Sequence, residues 1–259
     1  MKNEDTEEKI EVYRQMLEEK WRTFDAKRFV ESDPVQIVHE MRLRGGDTAD
    51  LEMCGLLTSM IAWGNRKMIV RNAMKLMERS EWSPKKWILD SGFEGYDDSE
   101  CVHRTLNYGG LKQVLRNMAK VYEEYGTLKN WIDVKGVTTY ELLNALSDWT
   151  NAAKMGNPER GSACKRLNMF IRWMTRNDGV DIGLWRTDKV NGGTLYAIMD
   201  THVAQQANKM GLISHPKESW KAVEQLTARY RQWDAEDPLR YDMVIMEVNI
   251  EERKDETKH

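Results

Sequence analysis

The sequence predicts an all-α protein, and two observations support this prediction. The 259 residues include only five prolines, whereas Leu, Met, Lys, Glu, Arg and Ala, which lose little side-chain freedom in a helix, are plentiful. Apolar residues also recur at helical spacing through most of the chain, beginning with Ile10, Tyr13, Leu17, Trp21 and Phe24. We therefore predict about ten helices and almost no strand.

The predicted helices follow one another with short breaks at glycines, prolines and capping residues. The first helices cover 6–30, the segment between Ser32-Asp33-Pro34 and Gly45-Gly46, and 48–77, which is interrupted at 62–66. Another begins within 82–87. The later helices cover 111–125, 138–149, 161–176, 201–210 and 216–233, and Asp237-Pro238 opens a last one. Residues 91–98 and 177–194 are predicted to be irregular, and residues 251–259 are predicted to be a frayed end.

Composition and charge limit the classes of function. The formal net charge is -3 and the pI is about 6.0, so any binding to nucleic acid must come from a local patch rather than from bulk charge. The acidic start and the absence of an 18-residue apolar run predict a cytoplasmic protein that does not bind a membrane. The widely spaced Cys54, Cys101 and Cys164 fit neither a disulfide framework, a zinc site nor an iron–sulfur cluster, so we predict no metal and no cofactor.

Residues 161–176 (GSACKRLNMFIRWMTR) predict a helix with two different sides. Ala163, Leu167, Phe170, Ile171 and Met174 fall within one arc of about 100° at helical periodicity, whereas the cations fall mainly on the opposite side. The stretch from 160 to 176 contains no acidic residue and five basic ones, which are Arg160, Lys165, Arg166, Arg172 and Arg176. We expect one side to pack and the other to present positive charge to an anionic partner.

Two residues in this part of the chain stand out as candidates for chemistry. Lys165 lies near the start of the basic helix, where backbone amides and the helix dipole attract anions. Asp200 follows the apolar run LYAIM and can cap the helix that begins at 201. A lysine on a basic helix is usually solvated or bound to phosphate, and an aspartate before a helix is usually a cap worth about 1 kcal/mol. In Asp200 the structural and the chemical role can coexist.

The sequences around Lys165 and Asp200 resemble two motifs of a known superfamily. Gly161, Lys165 and Asn168 match a hairpin pattern Gly-x-Gly-x-Lys-x-x-Asn, and residues 200–203 match the end of Val-Asp-Thr-His-Val. In this order they resemble the helix–hairpin–helix DNA glycosylases, the superfamily of endonuclease III and the 8-oxoguanine glycosylases. The stretches GLLTSMIAWGNRK and NYGGLKQVLRNMAKVYEEYG are similar to two further segments of that superfamily. In detail the chain is most similar to an uncharacterised bacterial family within it, whose members carry Cys-Lys-Arg-Leu-Asn-Met-Phe and Asp-Pro-x-x-Tyr-Asp.

This resemblance covers about residues 50–245 and implies both a fold and an activity. The fold would be two-lobed, with a central lobe of about 50–175 and a second lobe made of about 1–49 and 195–250. The activity would be that of a DNA N-glycosylase and abasic-site lyase, acting as a monomer on a damaged base in double-stranded DNA of the nucleoid. Lys165 would attack the sugar carbon C1′, and Asp200 would accept the lysine proton and stabilise the cationic sugar.

The resemblance and the residue types also suggest which side chains contact DNA. The predicted DNA-binding residues are Gly161, Arg166, Asn168, Arg172 and Arg176. A flipped-out base needs a wedge and a pocket, and the candidates chosen by type and position are Trp63, Asn65, Arg66, Tyr108, Trp173 and Trp185.

The chain departs from the superfamily pattern in four respects. Ala163 replaces the second hairpin glycine, Gln205 stands where endonuclease III-like sequences have arginine, the linker from Lys165 to Asp200 is longer than usual, and the cysteines of an iron–sulfur loop are absent. Two alternatives to a glycosylase therefore stay open. One is a non-catalytic DNA-binding module on the same scaffold, and the other is an enzyme that uses the lysine on a different nucleoside.

Overall fold

The structure is a computed structural model that describes the backbone of residues 2–245 and the side chains of residues 7–245. Helices dominate it, and the prediction of an all-α protein is confirmed. The helices are Lys2–Arg22 (α1), Ala26–Ser32 (α2), Gln36–Leu43 (α3), Thr48–Met60 (α4), Arg66–Arg79 (α5), Pro84–Leu89 (α6), Tyr108–Tyr125 (α7), Leu128–Lys135 (α8), Thr139–Trp149 (α9), Lys165–Thr175 (α10), Thr201–Lys209 (α11), Trp220–Trp233 (α12) and 240–245 (α13).

Short elements join these helices. Strands Cys101–His103 (β1) and Leu106–Asn107 (β2) form an antiparallel hairpin. Three single turns of 3-10 helix lie at Asn151–Ala153, Pro158–Arg160 and Gly192–Thr194. No helix between residues 2 and 245 is long and apolar enough to cross a membrane. The predicted frayed end at 251–259 lies outside the described residues.

The structure differs from the predicted elements at four places. The predicted helix 6–30 is two helices, because the chain breaks after Arg22 and the Asp25 side chain caps α2 by accepting from the Arg28 amide. Helix α8 and the β1–β2 hairpin were not predicted. Helix α10 begins at Lys165 instead of 161. Gly161 and Cys164 have positive φ angles of 78° and 49°, which a right-handed α-helix does not contain, so the helix starts only after Cys164.

Helix α4 is the centre of the packing. Its 13 residues include 11 buried ones, and it packs against α3, α5, α6 and α10. Gly55 makes the close approach to α10 possible, because a Cβ atom at this position would lie 2.7 Å from Met174 Cε and 3.2 Å from Phe170 Cε2. The helix that carries Lys165 is therefore seated directly on the most buried helix of the protein.

A buried carboxylate connects α4 to three other parts of the chain. Glu52 has no exposed surface, and its two oxygens accept four hydrogen bonds at 2.8–3.0 Å. The donors are the Tyr122 hydroxyl of α7, the Leu128 and Lys129 amides at the start of α8, and the Trp185 indole Nε1. Burial raises the pKa of Glu52, and the four donors act in the opposite direction.

We predict that Glu52→Gln destabilises the protein by about 2–5 kcal/mol. A glutamine has one acceptor oxygen and an NH2 group, so at least two of the four buried donors would lose their acceptor, at about 1–3 kcal/mol each. Urea unfolding measures the loss. The matched control is Glu94→Gln, which removes only the exposed ion pair with Arg116 and should cost less than about 1 kcal/mol. Equal stabilities of the two variants would contradict the role given to Glu52.

Candidate active site

The structure brings Lys165 and Asp200 together across 35 residues of sequence. Lys165 Nζ lies 3.2 Å from Asp200 Oδ2, and their side chains are 33% and 20% exposed. Lys165 is the first residue of α10 and Asp200 immediately precedes α11, so two helix starts meet at this point. The pair is open to solvent on one side and reachable by a ligand.

The two oxygens of Asp200 have different partners. Oδ1 accepts from the amides of His202 and Val203 at 3.0 Å each and so caps α11. Oδ2 faces Lys165. The capping bonds fix the carboxylate plane, so the structural role of Asp200 positions its second oxygen beside the amine.

The extended segment before Asp200 is held by one side chain from α12 and one from α13. The Ile198 amide donates to Asp242 Oδ2 at 2.7 Å, and the Ala197 amide donates to Thr227 Oγ1 at 2.9 Å. Burial raises the pKa of Asp242 to about 7. Asp242 of the Asp-Pro-x-x-Tyr-Asp motif thus helps to position Asp200, although it lies 42 residues further along the chain.

An unusual backbone places Lys165 at the start of its helix. Gly161 has φ +78°, and its carbonyl accepts from the Trp220 amide at 2.9 Å. Cys164 also has a positive φ, whereas Ala163 does not. Ala163 stands where the superfamily pattern has its second glycine. It causes no backbone strain, because the positive φ angles of this segment are at residues 161 and 164. Among the described residues, no side chain caps the start of α10.

A cleft of about 410 Å³ opens beside Lys165. Its walls are Trp63, the hairpin residues 105 and 106, the segments 152–156 and 162–166, and Glu218. Thr201, the residue after Asp200, donates its hydroxyl hydrogen to Glu218. The cleft therefore has two lysines, Lys154 and Lys165, and two carboxylates at or next to its wall, together with the amides at the start of α10.

Arg166 and Trp63 form another wall of the cleft. Arg166 donates to the carbonyls of Met60 and Lys154, and burial lowers its pKa. Its guanidinium lies 5.9 Å from the centre of the Trp63 ring. Both residues were predicted at the site, and both line the cleft. The contacts of Arg166 fix the cleft wall, and much of its hydrogen-bonding capacity is used inside the protein.

The prediction that Arg172 and Arg176 present charge to solvent is wrong. Their exposed fractions are 5% and 3%, and both guanidinium groups face Asp181, at 3.2 Å and 3.1 Å. Arg176 also forms two hydrogen bonds to Asp237 and an ion pair with Asp178. The polar arc of α10 faces this buried cluster of carboxylates, so neither arginine is available to a DNA phosphate.

We predict that Arg176→Ala destabilises the protein by about 3–5 kcal/mol, because it leaves three carboxylates without their shared cation. Urea unfolding measures the change. The control is Arg14→Ala, which removes an exposed ion pair with Glu11 and should cost at most about 1 kcal/mol. Should Arg176→Ala keep its stability and instead weaken DNA binding, the arginine would belong to a DNA surface after all.

Three aromatic candidates for the base pocket are also in the wrong place. Trp173 and Trp185 have no exposed surface, and Trp185 donates to Glu52. Tyr108 is 1% exposed and stacks on Tyr96, with Arg79 beside it. None of the three lines the cleft, because these large rings are buried in the core and Trp185 and Tyr108 have their polar partners inside the protein.

The remaining predicted residues have structural contacts near the site. Asn168 is 3% exposed and its amide donates to the Ala163 carbonyl, so it stabilises the turn before α10. Asn65 caps α5 by accepting from the Met68 amide. Arg66 is exposed next to it and lies 3.5 Å from the Ser32 hydroxyl. Asn168 therefore acts inside the protein, whereas Asn65 and Arg66 face solvent beside the Trp63 loop.

Sequence reasoning missed three contributors to the cleft, which are the hairpin, the segment 152–156 and Glu218. The hairpin residues Thr105 and Leu106 come from a segment in which buried Val102 and Leu106 flank exposed Arg104 and Thr105; this pattern was a usable signal for a short turn. Glu218 had no local signal, since a single glutamate before a helix is common. No group of three or more His, Cys, Asp or Glu within the described part of the chain is placed to hold a metal ion.

Comparison with known protein families identifies one match. The model of a family described as "Protein of unknown function (DUF2400)" matches residues 33–251, which is most of the chain and includes Lys165 and Asp200. The protein therefore belongs to this family. Neither the curated proteins nor the solved structures contain a match. The resemblance to the glycosylase superfamily stays a prediction.

Proposed function

We propose that this member of the DUF2400 family is a DNA N-glycosylase with abasic-site lyase activity that acts on a damaged base. One observation carries the proposal, which is the distance of 3.2 Å between Lys165 Nζ and Asp200 Oδ2 at the edge of a cleft. An amine beside a fixed carboxylate is the pair that imine chemistry at a sugar carbon requires. The proposal includes the two-lobed helix–hairpin–helix fold, a monomer and double-stranded DNA as partner.

The proposed reaction begins with proton transfer. Lys165 must be neutral to attack, and Asp200 Oδ2 accepts its proton. The lysine nitrogen then bonds to C1′ while the bond from C1′ to the base breaks. The base leaves with the electron pair and takes up the proton that Asp200 accepted, which returns Asp200 to its carboxylate form. The attached amine then loses a proton, the ring oxygen O4′ leaves C1′ with the electron pair of that bond and takes up a proton, and an iminium forms between Lys165 and C1′. Loss of a proton from C2′ to solvent then expels the 3′-phosphate from C3′, which cleaves the strand. The carboxylate stabilises the positive charge that develops on the sugar.

The surroundings of the pair suit a nucleotide. The first amides of α10 lie at the cleft with no side-chain cap among the described residues, and helix starts of this kind bind phosphate. Trp63, which also lines the cleft, offers an aromatic ring to a base removed from the stack. These features support the proposal, and the damaged base itself is left open.

The first test is borohydride trapping on DNA that contains an abasic site. The wild-type protein should form a covalent crosslink, because borohydride reduces the imine to a stable amine. Lys165→Gln should lose the crosslink completely and bind the same DNA with only a modest loss of affinity. Lys154→Gln is the matched control, since Lys154 lines the same cleft and should still be trapped. A crosslink that persists in Lys165→Gln would exclude this lysine.

The second test separates the two roles of Asp200. Asparagine keeps an oxygen for the amides of His202 and Val203, so Asp200→Asn should fold with a melting temperature near that of the wild type. It removes the group that accepts the proton, and turnover should fall by at least about 10²-fold while affinity for abasic DNA stays near normal. Unchanged turnover would leave Asp200 as a cap only. No trapping by the wild type on oxidised, deaminated, alkylated and abasic DNA would favour the non-catalytic binding module.

A further inference from the structure

Because Arg172 and Arg176 are buried, the proposed function requires another surface to bind the phosphates of the DNA. Helix α5 offers a set of cations beside the cleft. No acidic residue occurs from 53 to 77 of a chain whose net charge is -3. The same stretch contains four basic residues, all exposed, which are Arg66, Lys67, Arg71 and Lys75. A local positive surface on an acidic protein indicates an anionic partner.

Three of these cations form one stripe along the helix. Lys67, Arg71 and Lys75 are four residues apart, which places them on the same face of α5. At 1.5 Å of rise per residue the stripe is about 12 Å long. One DNA strand advances about 3.4 Å along the axis per phosphate, so the stripe has the length of roughly three to four phosphates.

The cations of the stripe form few ion pairs with carboxylates of the protein. Lys67 and Arg71 form no ion pair within the described residues, and the nearest carboxylate oxygen of Glu100 lies 3.9 Å from Lys75 Nζ. This is the opposite of α10, where Arg172 and Arg176 face carboxylates at 2.7–3.2 Å. Lys67 and Arg71, which have no carboxylate partner among the described residues, therefore keep their charge available to an external anion, and Lys75 has only the long contact with Glu100.

A buried histidine joins the stripe to the cleft wall. His103 of the hairpin has no exposed surface; its Nε2 donates to the Trp63 carbonyl and its Nδ1 accepts from the Asn72 amide of α5, both at 2.9 Å. Arg104, the next residue, is exposed and lies 4.4 Å from the centre of the Trp63 ring. Helix α5, the hairpin and the cleft residue Trp63 are thus held as one unit.

We propose that the stripe of Lys67, Arg71 and Lys75, extended by Arg104, binds the sugar–phosphate backbone of the duplex whose target nucleotide enters the cleft beside Lys165. This inference rests on the proposed function for the identity of the nucleic acid. The stripe binds phosphates and reads no bases, so it contributes affinity and orientation rather than lesion specificity. The proposed ligand of the stripe is duplex DNA. The alternative ligand, an acidic protein surface, is excluded if the stripe variants reduce the salt dependence of DNA binding.

The test measures the salt dependence of binding to a duplex with one abasic-site analogue, by fluorescence anisotropy between 50 and 200 mM salt. Each phosphate contact contributes about 0.9 to the slope of log affinity against log salt. Lys67→Ala and Arg71→Ala should each reduce the slope by about one, and the double variant by about two. Lys120→Ala is the control, because Lys120 is an exposed lysine on α7. It should leave the slope unchanged, and all variants should melt like the wild type.

The outcomes separate this inference from the proposed function. Reduced slopes support the stripe even if wild-type protein forms no borohydride crosslink, in which case the enzyme proposal alone fails. Unchanged slopes in both variants, with crosslinking through Lys165 intact, overturn the stripe and keep the enzyme. No binding of the wild type to duplex DNA overturns the stripe as a DNA surface.

Discussion

The fold depends on satisfying one buried carboxylate. Glu52 lies in the middle of α4, and the cost of burying its charge is offset only when α7, the start of α8 and Trp185 all deliver their donors to it. These donors come from segments up to 133 residues away, so the carboxylate selects one arrangement of the surrounding elements. Because α4 also carries α10 through the close contact at Gly55, the position of Lys165 follows from the same constraint.

A second buried cluster determines which part of α10 reaches solvent. Asp178, Asp181 and Asp237 surround Arg176, and burial raises the pKa of Asp181 to about 6. These contacts fix the later turns of the helix inside the protein. Only the first turn, with Lys165, opens to the cleft. The cations of one short helix thus divide into two groups, one that holds the fold together and one that is available for chemistry.

Local patterns predicted most of the helices, although not α8, together with the break at 62–66 and the Asp200 cap, because periodicity and capping are properties of neighbouring residues. They also indicated Lys165 and Asp200, whose order along the chain matches a known motif. The same patterns failed for Arg172 and Arg176, because helical periodicity does not show that the following segment, with Asp178 and Asp181, folds back onto the helix. A third carboxylate, Asp237, is 61 residues from Arg176. They failed for Trp173 and Trp185 because residue type does not distinguish a ring in the core from a ring at a cleft.

In the proposed reaction Lys165 is the nucleophile that attacks a sugar. The most direct test identifies the residue to which the sugar becomes attached. Peptide mass spectrometry of the borohydride-reduced protein–DNA complex, after digestion of both components, gives the residue that carries the sugar remnant. The account predicts a single adduct on Lys165. An adduct on Lys154, on the terminal amine or spread over surface lysines would contradict it, because the 3.2 Å pairing with Asp200 would then have no part in the reaction.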